Sequence, residues 1–302
     1  MNLKENPNSL LAGFHDLDEA TLTRAEAVGV DSGATLVKLS LLDPQGGIHL
    51  VAWPSPSKAR VLALLERLAP ARIGLTGCGM REIAAGIGRP TTGLLEFDAW
   101  GRGAQRLLAE IGRPLHEPYL LVSIGTGTSA LRVEGDRVER IGGSALGGGT
   151  ALGLGLALTG CRSHRDLARL AARGRRGGVD LLISDIYESA EIPLAAEATA
   201  ASFGKLARQL DPIHAPAPGD PPASPEDLAA AIMGLVAENI ALLCNAHARQ
   251  AGVSTIVYGG STLDENPLLV ETVQTLTHVL GQTSLVLPKS GYAGALGAML
   301  SA

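Results

Sequence analysis

Residues 27–38 read AVGVDSGATLVK, and residues 119–131 read YLLVSIGTGTSAL. In both stretches a short apolar run meets a Gly-rich turn and continues as a second apolar segment, a pattern that predicts two strands joined by a turn. A further turn and strand follow each of them, at residues 43–47 and 134–136. The repetition predicts two related half-domains. Tight turns offer backbone N–H groups to anions, so two facing turns would grip a nucleotide polyphosphate.

Composition limits the class of protein. The 302 residues are enough for two domains, and 46% hydrophobic against 18% charged residues indicates a folded chain. The net charge of −5 and the lack of a long basic run argue against a nucleic-acid partner. Three widely spaced cysteines favour neither a metal site nor a disulfide framework, so a cytoplasmic location is expected. We see no secretory signal and no apolar run of membrane-spanning length in the sequence.

The order of elements predicts a mainly parallel α/β architecture. We expect a tail over residues 1–24, with a short helix over 17–27, then an N-terminal half-domain over 25–116 and a C-terminal half-domain over 117–302. Residues 212–224 hold five prolines and predict an exposed loop. A long apolar helix is expected from Pro225, with Ser224 as its cap and Gly252 at its end.

Asp31 and Lys38 are candidate ligands for a nucleotide. Asp31 follows a buried strand and would hold Mg²⁺ beside the phosphates, usually through water. Its alternative is an Asp that stabilises its own turn. Lys38 lies on the returning strand, where it would reach phosphate, or it is a solvated strand lysine.

Two acids are candidates for proton transfer. Glu96 and Asp98 flank Phe97 at a predicted strand end, which would place both carboxylates on one face. Phosphoryl transfer to an alcohol needs a carboxylate that accepts the hydroxyl proton, and either acid suits that role. Exposed or capping acids are the alternative.

Three more features suit a ligand. Arg140 offers a planar guanidinium for a carboxylate substrate, or forms a surface ion pair. The glycines 147–149 lead into a helix whose N–H groups would bind phosphate, or they permit close packing of helix on sheet. The segments 259–261 and 291–298 suggest backbone against a flat ligand or another helix.

Together these segments resemble the eukaryotic-type (type II) pantothenate kinases, within the acetate kinase, sugar kinase, Hsp70 and actin superfamily. The similar segments cover about residue 27 to the end: 31–38 (DSGATLVK), 75–77 (LTG), 96–99 (EFDA), 125–129 (GTGTS), 140–150 (RIGGSALGGGT), 158–161 (LTGC), 185–187 (DIY), 202–204 (SFG) and 291–298 (GYAGALGA). The Gly-rich triplet with its preceding Arg is the most specific part. The resemblance implies two ribonuclease H-like half-domains around a nucleotide cleft.

The resemblance also implies a reaction and its site. The activity would be ATP- and Mg²⁺-dependent phosphorylation of pantothenate to 4'-phosphopantothenate, the first step of coenzyme A biosynthesis, with Glu96 as base and Asp31 at the metal. Substrate would meet Arg140, Gly142 and Ser144. ATP would meet Ser32, Gly33, Ala34, Thr35, Lys38, Gly125, Thr126, Gly127, Thr128, Gly147, Gly148, Gly149, Gly259, Gly260 and Ser261.

Partners and alternatives complete the expectation. The resemblance implies a homodimer with the helix from Pro225 at its interface, and it leaves open inhibition by coenzyme A or acyl-CoA. The family usually has a glycine where Ala34 stands, so that residue must avoid positive φ or accept strain. Two other functions are a catalytically weakened regulatory relative that binds ATP or acyl-CoA, and a kinase for another small alcohol such as an amino sugar.

Overall fold

The computed structural model describes residue 11 and residues 13–187, 198–208 and 223–302. Its strands are β1 (Phe14–Asp16), β2 (Ala27–Ser32), β3 (Leu36–Leu42), β4 (Ile48–Pro54), β5 (Arg72–Thr76), β6 (Thr92–Gly93), β7 (Tyr119–Ile124), β8 (Thr128–Glu134), β9 (Arg137–Ser144), β10 (Leu181–Leu182), β11 (Thr199–Ala201), β12 (Thr255–Gly259) and β13 (Thr283–Val286). Its helices are α1 (Lys58–Leu68), α2 (Met80–Ile87), α3 (Glu96–Glu110), α4 (Gly148–Thr159), α5 (His164–Ala171), α6 (Gly204–Arg208), α7 (Pro225–Gln250), α8 (Pro267–Val279) and α9 (Ala293–Leu300).

Two sheets repeat one strand order, as the paired hairpins predict. The first sheet runs β1-β4-β3-β2-β5-β6 and the second runs β13-β12-β7-β8-β9. In each sheet, three consecutive strands form an antiparallel meander. The first strand of that meander also pairs in parallel with a fourth strand, which in turn pairs in parallel with a fifth. The expected two-half α/β fold is therefore confirmed, and the carboxyl ends of the central strands β2 and β7 carry the two Gly-rich turns.

Residue 11 and residues 13–24, which belong to the expected tail, take part in the fold. β1 pairs in parallel with β4 and so extends the first sheet. Leu11 and Leu22 are buried in the core. The helix predicted over residues 17–27 is wrong, because Asp18 organises a turn there: its carboxylate accepts from the N–H of Ala20, and its carbonyl accepts from the N–H of Leu22.

The predicted strand end around residues 94–98 is also wrong. Glu96 opens the helix α3, which runs without interruption to Glu110. The preceding strand is only the two-residue β6. The segment from Glu96 holds no β-branched residue and several good helix formers, which favours the helix.

The long helix α7 begins and ends as predicted. The Ser224 hydroxyl accepts from the N–H of Asp227, Pro225 occupies the first position, and Gly252 follows the helix with a φ of +66°. Ile232, Val236 and Ile240 are fully buried in the core of this chain. By length and composition α7 alone among the described helices is apolar enough to cross a membrane, but 61% of its most apolar window is buried inside the protein. The predicted loop at 212–224 lies mostly outside the described residues.

Helix α9 joins the carboxyl terminus to the first sheet. A Cβ atom on Gly29 or Gly74 would overlap the carbonyl oxygens of Ala295 and Ala298 in α9. The same close approach brings α9 onto α3, where Gly297 meets the backbone of Ala99. The division expected at residue 117 therefore separates the two sheets, whereas α9 crosses back from the second half to the first.

The glycine contacts under α9 predict a matched pair of variants. Gly74→Ala should lower the free energy of unfolding by ~1–3 kcal/mol, because the added methyl meets backbone that cannot turn aside. Gly153→Ala, in α4 with no atom within 4 Å of the new methyl, should raise it by ~0.5–1 kcal/mol. Urea unfolding of both variants measures the difference. Equal stability of the two would contradict the close packing of α9.

Candidate active site

The first turn (residues 32–35) closes on itself at the carboxyl end of β2. The N–H of Gly33 donates to the carbonyl of Leu36 at 3.1 Å. Asp31 and Lys38 lie opposite each other on β2 and β3. Ala34 does not adopt a positive φ, so its methyl group fits the turn without strain.

Asp31 is enclosed by backbone. Only 8% of its surface is exposed, and a Cβ on either Gly77 or Gly294 would lie 2.7 Å from one of its carboxylate oxygens. Burial raises the pKa of Asp31 to about 6, Lys38 lowers that pKa and Glu96 raises it. Asp31, Lys38 and Glu96 therefore share one electrostatic neighbourhood at the end of β2.

The second turn (residues 125–128) also closes on itself, and it touches the first. The N–H of Gly125 donates to the carbonyl of Gly127 at 2.9 Å, and the Thr128 hydroxyl donates to Leu146. Across the cleft the hydroxyls of Thr35 and Thr126 are 3.1 Å apart. The two turns selected from the sequence thus face each other directly.

The glycines at 147–149 pack on the second turn. The N–H groups of Gly148 and Gly149 donate to the carbonyls of Gly125 and Thr126, at 2.8 and 2.9 Å. These two donors were expected to face a phosphate, and here they hold the turn instead. A Cβ on Gly147 would meet Gly127 at 2.7 Å, so the triplet permits backbone to lie against backbone. A contact between Gly147–Gly149 and ATP stays a prediction.

The Gly-rich segment 259–261 also packs on the second turn. Gly260 has a φ of +114°, its N–H donates to the Ser290 hydroxyl, and a Cβ there would overlap the backbone of Ile124. Ser261 opens a short 3-10 turn (Ser261–Leu263), in which the Thr262 hydroxyl donates to the carbonyl of Gly125. The triplet 147–149 and the segment that begins at Gly259 therefore both meet the second turn at Gly125.

Glu96 lies at the amino end of α3, not at the strand end assumed above. Its side chain is exposed, and its charge acts on Asp31. Residues two apart on a helix point in directions about 200° apart, so Asp98 and Glu96 do not share a face. The structure therefore separates the two acids that the sequence left as equals.

A β-bulge redirects the strand that carries Arg140. Leu131 pairs with Arg140 and Ala130 with Gly142, which leaves Ile141 without a partner in the ladder. Arg140 folds back over Gly143, where a Cβ would lie 2.6 Å from the guanidinium. Arg140 is exposed and has no ion-pair partner among the described residues.

Gly142 and Ser144 each contact a part of the protein that Arg140 does not contact. The ring of His247, on α7, covers the Cα of Gly142. The Ser144 hydroxyl accepts from the N–H of Leu146 at 3.0 Å. Gly142 pairs with Ala130, which belongs to the core cluster that contains residues of α7. Arg140 pairs with Leu131, which belongs to the cluster that contains Trp100 of α3. Of the three residues expected to meet the substrate, Arg140 is the one on the side of α3, which begins with Glu96.

Two residues of this region were not selected from the sequence. His247 has no motif around it, and only the α7 packing brings it to β9. Asp264 follows the Ser261–Leu263 turn, and loss of surrounding water raises its pKa to about 6. A carboxylate shortly after a Gly-rich strand end was the available signal, the same one that selected Asp31.

A metal here would depend on few protein ligands. Within the described ranges no group of three His, Cys, Asp or Glu side chains is placed to hold a metal ion. Mg²⁺ in phosphoryl-transfer sites commonly takes one or two carboxylates, with waters and substrate phosphates completing its shell. The enclosed carboxylate of Asp31 fits that requirement.

Sequence comparison finds one family. A family model described as Fumble matches residues 102–301. A type II pantothenate kinase from Oceanobacillus iheyensis is 36% identical over 275 residues, which are 91% of this chain and 98% of that protein. A type II pantothenate kinase from Staphylococcus haemolyticus is 33% identical over 272 residues, or 90% and 98% of the two chains.

Solved structures share the fold. A ROK family glucokinase from Streptomyces griseus, in complex with glucose and AMPPNP, aligns with a TM-score of 0.54 at 16% identity and covers 91% of this chain and 98% of its own. The ethanolamine utilization protein EutJ from Carboxydothermus hydrogenoformans aligns with a TM-score of 0.56 at 15% identity, over 98% and 99% of the two chains. At such identities the likeness concerns the fold alone.

Because the pKa of Asp31 is raised, we expect that replacing its carboxylate stabilises the protein, by an amount that depends on pH. The folded state binds more protons than the unfolded state between about pH 4 and 6, so this group's contribution falls as pH rises through that window. Asp31→Asn should therefore raise the free energy of unfolding at pH 7.5, without Mg²⁺, by up to ~3 kcal/mol, and by about half as much at pH 5.

Asp43 provides a control, because its replacement should change the free energy of unfolding in the opposite direction. Its carboxylate accepts from the His49 ring and from the N–H groups of Gln45 and Gly47, contacts that outweigh desolvation and lower its pKa. Asp43→Asn should destabilise the protein at pH 7.5. Urea unfolding at the two pH values measures both effects, and an Asp31→Asn protein no more stable than the parent at pH 7.5 would refute the account.

Proposed function

Because the chain belongs to the Fumble family of type II pantothenate kinases, we propose that it transfers the γ-phosphoryl group of ATP to the hydroxyl of pantothenate. The product is 4'-phosphopantothenate, on the way to coenzyme A. The observation that carries the proposal is 36% identity to such an enzyme along 91% of the chain. The convergence of Asp31, Lys38 and Glu96 beside two facing turns supports it.

ATP binding is assigned to the two facing turns. Backbone N–H groups and hydroxyls at residues 32–35 and 125–128 suit the phosphates, and Lys38 supplies a positive charge among them. Asp31 would hold Mg²⁺, which neutralises the charge that develops on the transferred group. The contact between Thr35 and Thr126 supports a single polyphosphate shared by both turns. Gly259–Ser261, at the end of β12, is proposed to face the nucleoside.

Glu96 is proposed to accept the proton of the substrate hydroxyl. An alcohol at neutral pH holds its proton tightly, so a carboxylate beside it removes the proton as the new bond to phosphorus forms and directs the oxygen along the line of attack. Glu96 suits this task because solvent and substrate reach it and because its charge acts on Asp31.

Arg140 is proposed to hold the substrate's carboxylate. The β-bulge and the bare backbone of Gly143 give the guanidinium room beside β9, and the lack of an ion pair within the described residues leaves its donors available. A guanidinium binds a carboxylate through two parallel hydrogen bonds. Gly142 and Ser144 would then shape the loop beside that contact.

The alternatives have less support. A catalytically weakened regulatory relative does not need the Asp31, Lys38, Glu96 and Arg140 set that this chain retains. A kinase for an amino sugar would match the glucokinase fold, but a likeness at 16% identity says nothing about substrate.

Oligomeric state, location and regulation are the remaining parts of the proposal. We expect a homodimer in the cytoplasm, and inhibition by coenzyme A or acyl-CoA stays open. The apolar stripe predicted on α7 largely belongs to the core. A second copy would instead meet outward side chains such as Leu242 of α7 and Leu156 of α4, which are 52% and 50% exposed. Sedimentation showing twice the chain mass of 31.0 kDa would support the dimer.

The reaction predicts a loss of turnover in Glu96→Gln. Purified protein with ATP and Mg²⁺ should release ADP with pantothenate and much less with a panel of sugars and amino sugars. Glu96→Gln keeps the shape but removes the basic oxygen, so kcat should fall by ~10²–10⁴ while AMPPNP binding persists. Asp98→Asn, on another face of α3, is the matched control and should retain most activity. Loss of activity in Asp98→Asn, with near-normal activity in Glu96→Gln, would show that Asp98 is the base. ADP release with an amino sugar but not with pantothenate would show that the amino sugar is the substrate.

The carboxylate contact predicts a selective effect of Arg140. Arg140→Ala should raise the KM for pantothenate about ten- to a hundredfold, with little change for ATP, because one charge-assisted contact is lost. Arg140→Lys should rescue poorly, since an ammonium lacks the planar fork. Arg137→Ala, on the same strand but paired with Glu139 at the surface, should behave like the parent. Equal changes in both KM values would assign Arg140 to folding or to the nucleotide.

A further inference from the structure

The amino end of α9 lies against two carboxylates, one from each half of the molecule. Gly291 belongs to the 3-10 turn Ser290–Tyr292 that leads into α9, and a Cβ there would lie 3.2 Å from an Asp264 carboxylate oxygen. Gly294, three residues later, has the corresponding contact with Asp31 at 2.7 Å. Asp264 and Asp31 therefore meet the same short backbone segment, residues 291–294, within about one helical turn.

Lys38 is the cation that these two acids share. The Ser290–Tyr292 turn packs against β3, the strand that carries Lys38. The positive charge of Lys38 acts on both Asp31 and Asp264 and lowers both pKa values. Lys289 also acts on Asp264, but its ammonium is 3.0 Å from Asp16 and so already has a partner. Lys38 has no ion pair within 4.0 Å in the described part of the chain.

Asp264 is held in place by its neighbours. Solvent reaches it, yet enough surrounding water is displaced to disfavour its ionised form. The next residue, Glu265, has a φ of +52° and pairs with Arg165 of α5 at 2.5 Å. Asn266, next again, is buried and caps α8 through the N–H of Leu269. These contacts fix the segment after Asp264, and the hydrogen bond from the Thr262 hydroxyl to Gly125 fixes it before Asp264.

We propose that Asp264 is a positioning residue that holds the Lys38 ammonium in the middle of the cleft, where the proposed reaction places the ATP phosphates. A lysine on a flexible four-carbon stem loses rotamer entropy when it binds one phosphate oxygen. With Asp31 as its sole neighbour, Lys38 would be drawn to the carboxylate assigned to the metal. A second carboxylate from the opposite half balances that attraction, so the ammonium is already placed before the nucleotide arrives.

The inference rests on the proposed kinase function, but its test does not need pantothenate. Calorimetry measures binding of Mg²⁺·AMPPNP to the full chain. Asp264→Asn should weaken binding about tenfold, the size of one partly desolvated charge contact. Glu265→Gln, the neighbouring acid whose partner is the exposed Arg165, is the matched control and should leave affinity unchanged. Failure of the pantothenate assay alone would refute the substrate and leave this result standing.

A double-mutant comparison separates positioning from a structural role. If Asp264 acts through Lys38, then Asp264→Asn should add little to Lys38→Met, and AMP binding should be unaffected because AMP has no β- or γ-phosphate. The AMP comparison decides the matter even where Lys38→Met binds AMPPNP too weakly to measure. The proposal is overturned if Asp264→Asn weakens AMP and AMPPNP equally, if it is additive with Lys38→Met, or if AMPPNP affinity does not change.

Discussion

Close contact of backbone with backbone, possible only at glycine, is the constraint on which this molecule depends. Helix α9 comes from the end of the second half and lies on the first sheet at a distance that Gly29 and Gly74 permit. Its amino end then reaches the carboxylate of Asp31 through Gly294. The same principle brings Gly147 against Gly127 and Gly260 against Ile124. Glycines of this chain thus serve close packing at the site as well as turns.

That constraint changes the meaning of the Gly-rich triplet at 147–149. Three glycines at a helix start suggest N–H groups free for phosphate, yet two of those groups donate to carbonyls of the second turn. Gly125 also accepts from Thr262, so one carbonyl joins three segments distant in sequence. The triplet therefore fixes the shape of the second turn, because two of its N–H groups are hydrogen-bonded to that turn.

The sequence predicted the duplicated hairpins well, because a strand–turn–strand pattern is local and was present twice. It also predicted the limits of α7, since Ser224, Pro225 and Gly252 act on their immediate neighbours. It placed Glu96 on a strand end, because a short apolar pair before an acid looks the same ahead of a helix. His247 could not be predicted, since its neighbour Gly142 is 105 residues away and meets it only through tertiary packing. Asp264 was marked only by its position shortly after a Gly-rich strand end, and its neighbour Gly291 is 27 residues away.

The charges at the cleft follow from the same geometry. A carboxylate pressed against glycine backbone loses water, so Asp31 destabilises the empty protein at neutral pH and gains most from a cation. Lys38 alone cannot supply that cation fully, because Asp264 also attracts it from the other half. The positive charge of Lys38 is therefore divided between two carboxylates, beside two turns whose N–H groups favour anions. In the proposed reaction, Mg²⁺ bound to ATP would bring a cation and a polyphosphate together and so would satisfy both demands.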